Sequence, residues 1–279
     1  MHSMKSFIRS ILHPTDFSDL SGVAFAHALR IALATKSKLH ILHVAQHDIG
    51  GALAFPQARR LLVQWGLSED DDPPWLVASK LGIQVETTRI RWQEPTKGII
   101  GFLRDHSCDL IVLATQGGEG FERWLKGSVS EAVSRRSAIP ALFIAPGTRG
   151  FVSQIGGEVR LRRALVPIDF SPRPNKAIKA VQRIGRLLTG ADIIVHLLHV
   201  GRVAPSVQAK SSMSSPLPRI MLRHGNVVKS IVDVAVEFEV DLIAMPTAGH
   251  HGVLDALRGS TTERVIRRAP CPVFALPAT

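Results

Sequence analysis

The 279-residue sequence contains no tyrosine and only two cysteines. Cys108 and Cys271 stand far apart, one in each half, which argues against a disulfide framework and fits a reducing compartment. No apolar run approaches the roughly 20 residues that a membrane span requires. The first ten residues carry charge but not the apolar stretch of a secretory signal. A cytoplasmic protein without a membrane partner is the expectation. The common catalytic signatures are missing as well: there is no G-x-x-x-x-G-K-[ST], no G-x-S-x-G, no C-x-x-C and no H-E-x-x-H. No residue pattern sets a general base beside a nucleophile, so no catalytic residue is expected.

Hydrophobic residues make up 45% of the chain and charged residues 20%, as in an ordinary globular protein. The formal net charge is +11, carried partly by Arg59-Arg60, Arg135-Arg136, Arg162-Arg163 and Arg267-Arg268. These pairs are scattered, and aromatics at 5% are too few to interleave with them. Solvated helix faces with a general attraction for anions explain that pattern better than a nucleic-acid stripe. His224, His250 and His251 read as solvated imidazoles, and no metal site is expected.

The length suits two domains, and the sequence repeats itself. Ile11-Leu12-His13-Pro14-Thr15-Asp16-Phe17-Ser18 returns as Ala164-Leu165-Val166-Pro167-Ile168-Asp169-Phe170-Ser171. Leu42-His43-Val44 returns as Leu198-His199-Val200. Asp109-Leu110-Ile111, Gly117, Gly127, Ser128 and Glu131 answer to Asp241-Leu242-Ile243, Gly249, Gly259, Ser260 and Glu263. Many identities in one order, with length changes confined to the middle, mark a duplication.

Each copy alternates strand and helix. In the first, strands are predicted near 7–14, 39–44, 83–92, 109–114 and 141–145. Helices are predicted over 20–34, in parts of 53–81, over 95–106 and from residue 128. Such alternation gives a parallel sheet with right-handed crossovers. The expected fold class is α/β, two tandem doubly wound parallel-sheet domains. The expected units are 1–147, a linker at 148–159 that turns as a hairpin, and 160–279. In the second copy, 204–216 is rich in Ser and Pro where the first has an apolar helical stretch, and is expected to be mobile. The last strands, near 142–145 and 273–276, are short and apolar, and are expected to pair the two halves within the chain.

From Asp109 to Gly117, then nine residues to Gly127-Ser128, the chain resembles the nucleotide loop of the universal stress protein family. The second copy gives Pro246-Thr247-Ala248-Gly249, nine residues, then Gly259-Ser260. Pro14-Thr15-Asp16, Pro167-Ile168-Asp169 and the His-Val pairs resemble it too, so the likeness covers nearly the whole chain. It implies an adenine-nucleotide α-hydrolase-like fold and a stress-response or regulatory protein that binds ATP, with Mg, and hydrolyses it slowly at most. By resemblance the nucleotide roles fall to Asp16, Val44, Ala114, Gly117, Gly127, Ser128 and Val129. In the second half they fall to Asp169, Val200, Pro246, Gly249, Gly259, Ser260 and Thr261.

The same residues admit plainer roles. Ser128-x-x-Glu131 and Ser260-x-x-Glu263 spell helix capping boxes. Asp16 equally fits the N-cap of the helix after it. His43 and His199 suit packing in buried strands. The family motif's first glycine is replaced by Ala114 and by Pro246; a methyl crowds a ligand there, and proline also removes an N–H. An interaction scaffold of this fold that binds no nucleotide is therefore the alternative, and assembly into a homo-oligomer is compatible with either reading.

Overall fold

A computed structural model describes residues 8–45, 56–115, 139–145, 147–207, 220–247 and 261–277. In the first copy β1 (Ser10–Pro14), α1 (Asp19–Thr35) and β2 (Lys38–Ala45) are followed by α2 (Pro56–Gln64) and α3 (Pro74–Leu81). Then come β3 (Gln84–Arg91), α4 (Pro95–Asp105), β4 (Leu110–Ala114) and β5 (Ala141–Ile144). The second copy supplies β6 (Arg163–Pro167), α5 (Asn175–Thr189), β7 (Ile194–Val200) and β8 (Ile220–Arg223). It ends with α6 (Val227–Glu237), β9 (Leu242–Thr247), α7 (Thr261–Ile266) and β10 (Val273–Pro277).

All these strands form one sheet in the order β3-β2-β1-β4-β5-β10-β9-β6-β7-β8. Each half has the same internal order, and the second is the mirror of the first along the sheet. Neighbours are parallel except at the centre, where β5 and β10 run antiparallel with Leu142 opposite Phe274 and Phe143 opposite Val273. Strand composition follows position. β4 (LIVLA) and β5 (ALFI) are covered on both faces and are almost continuously buried, whereas the edge strand β3 is exposed or half-buried throughout.

Helices cover both faces. α1 is rich in alanine, and Ala24, Ala26, Ala28 and Ala32 are fully buried, which lets the helix lie close on the sheet. α5 buries Ala177, Ile178, Val181, Ile184 and Leu188, the spacing of one helical face. α1 and α5 share one face and its core; α4, α6 and α7 share the other. Both cores draw on both halves. Leu142 and Phe274 belong to the first, Phe143 and Val273 to the second.

The join between the repeats turns back on itself. Val152 bridges Val159, and the Arg160 N–H donates to the Phe151 carbonyl at 2.8 Å. The turn is pinned to the first half by His27, buried in α1. His27 Nδ1 donates to the Val23 carbonyl at 2.8 Å, which leaves Nε2 to accept the N–H groups of Phe151 at 3.0 Å and Val152 at 3.2 Å. Burial lowers the His27 pKa to about 4, so the ring is neutral in this role. A side chain at Gly150 would collide with the ring. Trp65 adds a hydrogen bond from Nε1 to the Gln154 carbonyl at 3.0 Å. Most of the Ser/Pro-rich segment 204–216 lies outside the described residues.

Candidate functional site

β1 and β4 are adjacent where the strand order reverses, and they pair only at Ile11–Leu110 and Leu12–Ile111. Beyond those pairs the strands part and leave a crevice at their carboxyl ends, the usual ligand position of an open parallel sheet. The second half repeats this: β6 and β9 pair only at Ala164–Leu242 and Leu165–Ile243.

In the first crevice a cleft of about 170 Å³ opens among Thr15, Asp16, His43, Val44, Pro95 and Ala114. Asp16, Val44 and Ala114 are thus brought together from the ends of three strands. The exposed Asp16 carboxylate is oriented by its own turn, its Oδ1 accepting from the Ser18 N–H at 3.0 Å and Ser18 Oγ at 2.7 Å. The alternative N-cap role for Asp16 does not hold. Ser18 caps α1, accepting from the Ser21 N–H at 3.3 Å. Thr15 Oγ1 meets Ser21 Oγ at 2.7 Å and accepts the Phe17 N–H at 3.1 Å, tying the strand end to the helix start. Phe17 sits in the left-handed region (φ 64), and its ring lies 4.6 Å from that of His43. For a bulky side chain that conformation is strained, and such strain gathers at functional sites.

His43 packs beside Phe17 as expected, but less deeply than its strand position suggests. It is half-buried and lines the cleft, with Nδ1 donating to the Thr15 carbonyl at 2.9 Å. His199 makes the matching bond to the Ile168 carbonyl at 3.0 Å but is buried, and its ring leaves no room for a side chain at Gly201. In the second crevice Asp169 is exposed, and its Oδ1 accepts the Phe170 N–H at 2.8 Å. Val200 ends β7 and Thr261 begins α7. Glu263, the last member of the second capping-box pattern, pairs with Arg267 at 2.7 Å.

Strand geometry separates the two crevices. The Ile111 and Thr115 N–H groups donate across to β5, to the carbonyls of Pro140 and Ile144. Successive N–H groups alternate between the two sides of a strand, so that of Ala114 points the other way, into the crevice. In β9 the Ile243 N–H donates to Pro272 in the same fashion. By the same alternation Pro246 stands where an N–H would face the second crevice, and has none. Because β6 has already parted from β9, the proline breaks no ladder bond there.

Two carboxylates that lie outside these crevices recur in the same way. Asp109 Oδ2 accepts the N–H groups of Arg9 at 2.7 Å and Ser10 at 3.1 Å. Asp241 Oδ2 accepts those of Arg162 at 2.7 Å and Arg163 at 2.9 Å. They fix the starts of the strands that carry Asp16 and Asp169. The sequence pattern marked both only as members of the repeat. Thr15, Ser21 and Pro95 were not singled out as lining residues either; Thr15 was the unassigned middle of Pro-x-Asp. Gly117, Gly127, Ser128, Val129, Gly249, Gly259 and Ser260 lie outside the described residues. Among the described residues no three His, Cys, Asp or Glu side chains could hold a metal ion, and no helix is long and apolar enough to cross a membrane.

A doubly wound sheet with a crevice at the switch point of each half defines an α/β protein of the Rossmann-like type of architecture. The model of the universal stress protein family matches residues 8–145 and 208–277, and the chain belongs to that family. A universal stress protein of Methanocaldococcus jannaschii is 28% identical over 145 residues, covering 50% of this chain and 84% of that protein. A Bacillus subtilis member is 29% identical over 140 residues, 46% of this chain and 93% of its own length. The crystal structure of a universal stress protein from Archaeoglobus fulgidus superposes with a TM-score of 0.59 at 22% identity, covering 97% of both chains. That likeness extends over both halves of the fold.

Proposed function

We propose that the protein is a tandem universal stress protein that binds an adenine nucleotide, ATP with Mg, in its first crevice and acts as a stress-response or regulatory protein. The observation that carries this reading is the first cleft, where Asp16, Val44 and the inward N–H of Ala114 converge at the sheet's switch point. At about 170 Å³ it suits a base rather than a whole nucleotide. The base lies against Val44 with its polar edge toward Asp16. Ribose and phosphates run on to Gly117, Gly127, Ser128 and Val129, the stretch that resembles the family's phosphate loop. Mg arrives with the phosphates, in keeping with its habit of binding substrate oxygens rather than an all-protein cage.

The units 1–147 and 160–279 act as paired partners joined by the hairpin at 148–159, and β5 against β10 is their seam. The second crevice, with Asp169, Val200, Pro246, Gly249, Gly259, Ser260 and Thr261, serves assembly or partner binding. ATP hydrolysis, if measured, is slow at most, and the cytoplasm is the working compartment. The scaffold reading draws its support from Ala114 and Pro246, which replace glycine at the same point of both copies.

The first test is whether the purified chain carries ultraviolet-absorbing nucleotide or is stabilised by Mg-ATP. The proposal expects stabilisation that disappears in Asp16→Ala. No stabilisation by ATP, ADP or AMP would leave the scaffold reading in place.

A further inference from the structure

A second cavity, of about 440 Å³, lies on the outer side of the first half, between the turn joining α2 to α3 and the edge strand β3. Its size falls within the range of about 300–1,000 Å³ typical of small-molecule sites. It shares no lining residue with the first crevice and is a separate cavity.

The cavity is mainly apolar, with Ser68, Gln84 and Thr87 as neutral polar lining residues and a single charge. Leu62 and Ile83, each 3% exposed, lie at its base, with Val77 beside them. Trp75 is 71% exposed and Val85 38%, apolar surface left for something to cover. Arg59 is the charged lining residue, and no carboxylate is in the lining. Its Nη1 donates to the carbonyls of Asp70 at 2.8 Å and Asp72 at 2.7 Å, which holds the guanidinium in place. Nε and Nη2 make no hydrogen bond to the described residues. The carboxylate of Asp72, one of the two residues whose carbonyls hold Arg59, is committed elsewhere. Asp72 accepts the Glu69 N–H at 3.0 Å and pairs with Lys80 at 3.1 Å, and these contacts hold its carboxyl below the usual carboxylate range.

A fixed guanidinium with unused donors, set in a mainly apolar cavity with no carboxylate in its lining, matches an anion with an apolar body. With Arg59 as the one charge in the lining, a cation would be repelled. We propose that this cavity binds a medium-chain fatty carboxylate, with the carboxylate on Arg59 and the chain along Leu62, Val77 and Ile83.

The test is calorimetric titration of the full-length chain with decanoate, decanol and decylamine below their micelle concentrations. Decanoate is expected to bind once per chain, decanol at least about tenfold more weakly, since a charge-assisted hydrogen bond is lost, and decylamine not at all. Arg59→Gln should bring decanoate down to the affinity of decanol. Ala78→Phe keeps the arginine but fills the cavity, and should abolish uptake of both while heats with Mg-ATP stay as in the wild type. Equal binding of decanoate and decanol, an unchanged affinity in Arg59→Gln, uptake that persists in Ala78→Phe, or no uptake by the wild type would each overturn the proposal.

Discussion

In the first crevice the fourth strand of the repeat ends in Ala114, whose N–H points at the gap; in the second the same place holds Pro246, which has no N–H to offer. The strand-2 histidines differ in a parallel way. His43 is half-buried and lines a cleft, while His199 is sealed beneath Gly201. The two-pair contact between the diverging strands recurs at both switch points, as do the aspartates beyond their ends. The duplicated scaffold has thus kept its strand order twice and this crevice-facing N–H once. In a crevice where strand pairing has already ended, a lost N–H costs the sheet nothing and costs a ligand one donor. Such positions can change without harm to the fold.

The largest expected effect bears on whether the halves behave as one body. Phe274 is 2% exposed and sits opposite Leu142 at the seam. Phe274→Ala should destabilise the chain by about 3–5 kcal/mol through lost burial and a cavity. If the seam couples the halves, thermal unfolding followed by circular dichroism stays a single transition at lower temperature. Two separated transitions, only one of them shifted, would make the halves independent.

The acid response should draw most on the first half, although burial also lowers His196 in the second. Burial lowers both His13 and His27, which lie in the first half, to about 4 from an ordinary value of 6.5. Between those pH values the unfolded chain takes up protons that the folded chain refuses, so stability falls as pH drops through the window and levels off below it. Each ring contributes on the order of 3 kcal/mol to that fall. His27→Gln should flatten part of the slope in chemical denaturation measured between pH 7 and 4. An unchanged slope would mean the ring is already charged or not buried.

Restoring the missing backbone sharpens the contrast between the crevices by a smaller amount. Pro246→Ala returns one N–H to the second crevice and is expected to raise its residual nucleotide affinity, too weak in the wild type to add a second equivalent, by up to about tenfold, the upper worth of one neutral hydrogen bond. Ala114→Gly should tighten the first by a few-fold if the methyl is what crowds the ligand, near the roughly 1 kcal/mol scale of such steric changes. Calorimetry on both variants checks the order, and a larger gain at Ala114 than at Pro246 would reverse it.

Much of this was legible before any coordinates. The repeat identities and the alternation of apolar runs with amphipathic stretches placed the strands and helices to within a residue or two over 20–34, 39–44 and 109–114. The short, wholly apolar final strands pointed to the seam at β5 and β10. What stayed hidden was non-local. His27 reads as a lone polar residue on an apolar helix face, yet its partners are main-chain groups 124 and 125 residues away. His43 and His199 share the context Leu-His-Val, and the close packing of His199 on Gly201 is one of the contacts that tell them apart. Asp16 and Ser18 both suit an N-cap, and the choice between them rests on turn geometry that composition does not record.

Whether the first crevice, and not the second, takes the nucleotide is decided by the stoichiometry of Mg-ATP binding. It can be measured by calorimetry in the wild type, Gly127→Asp and Gly259→Asp. Each substitution puts a side chain and a negative charge at the start of a predicted phosphate-binding helix, where an anion should otherwise be favoured. One nucleotide per chain is expected, with binding abolished in Gly127→Asp and unchanged in Gly259→Asp. Two nucleotides per chain, or loss of binding in Gly259→Asp alone, would overturn the assignment to the first crevice.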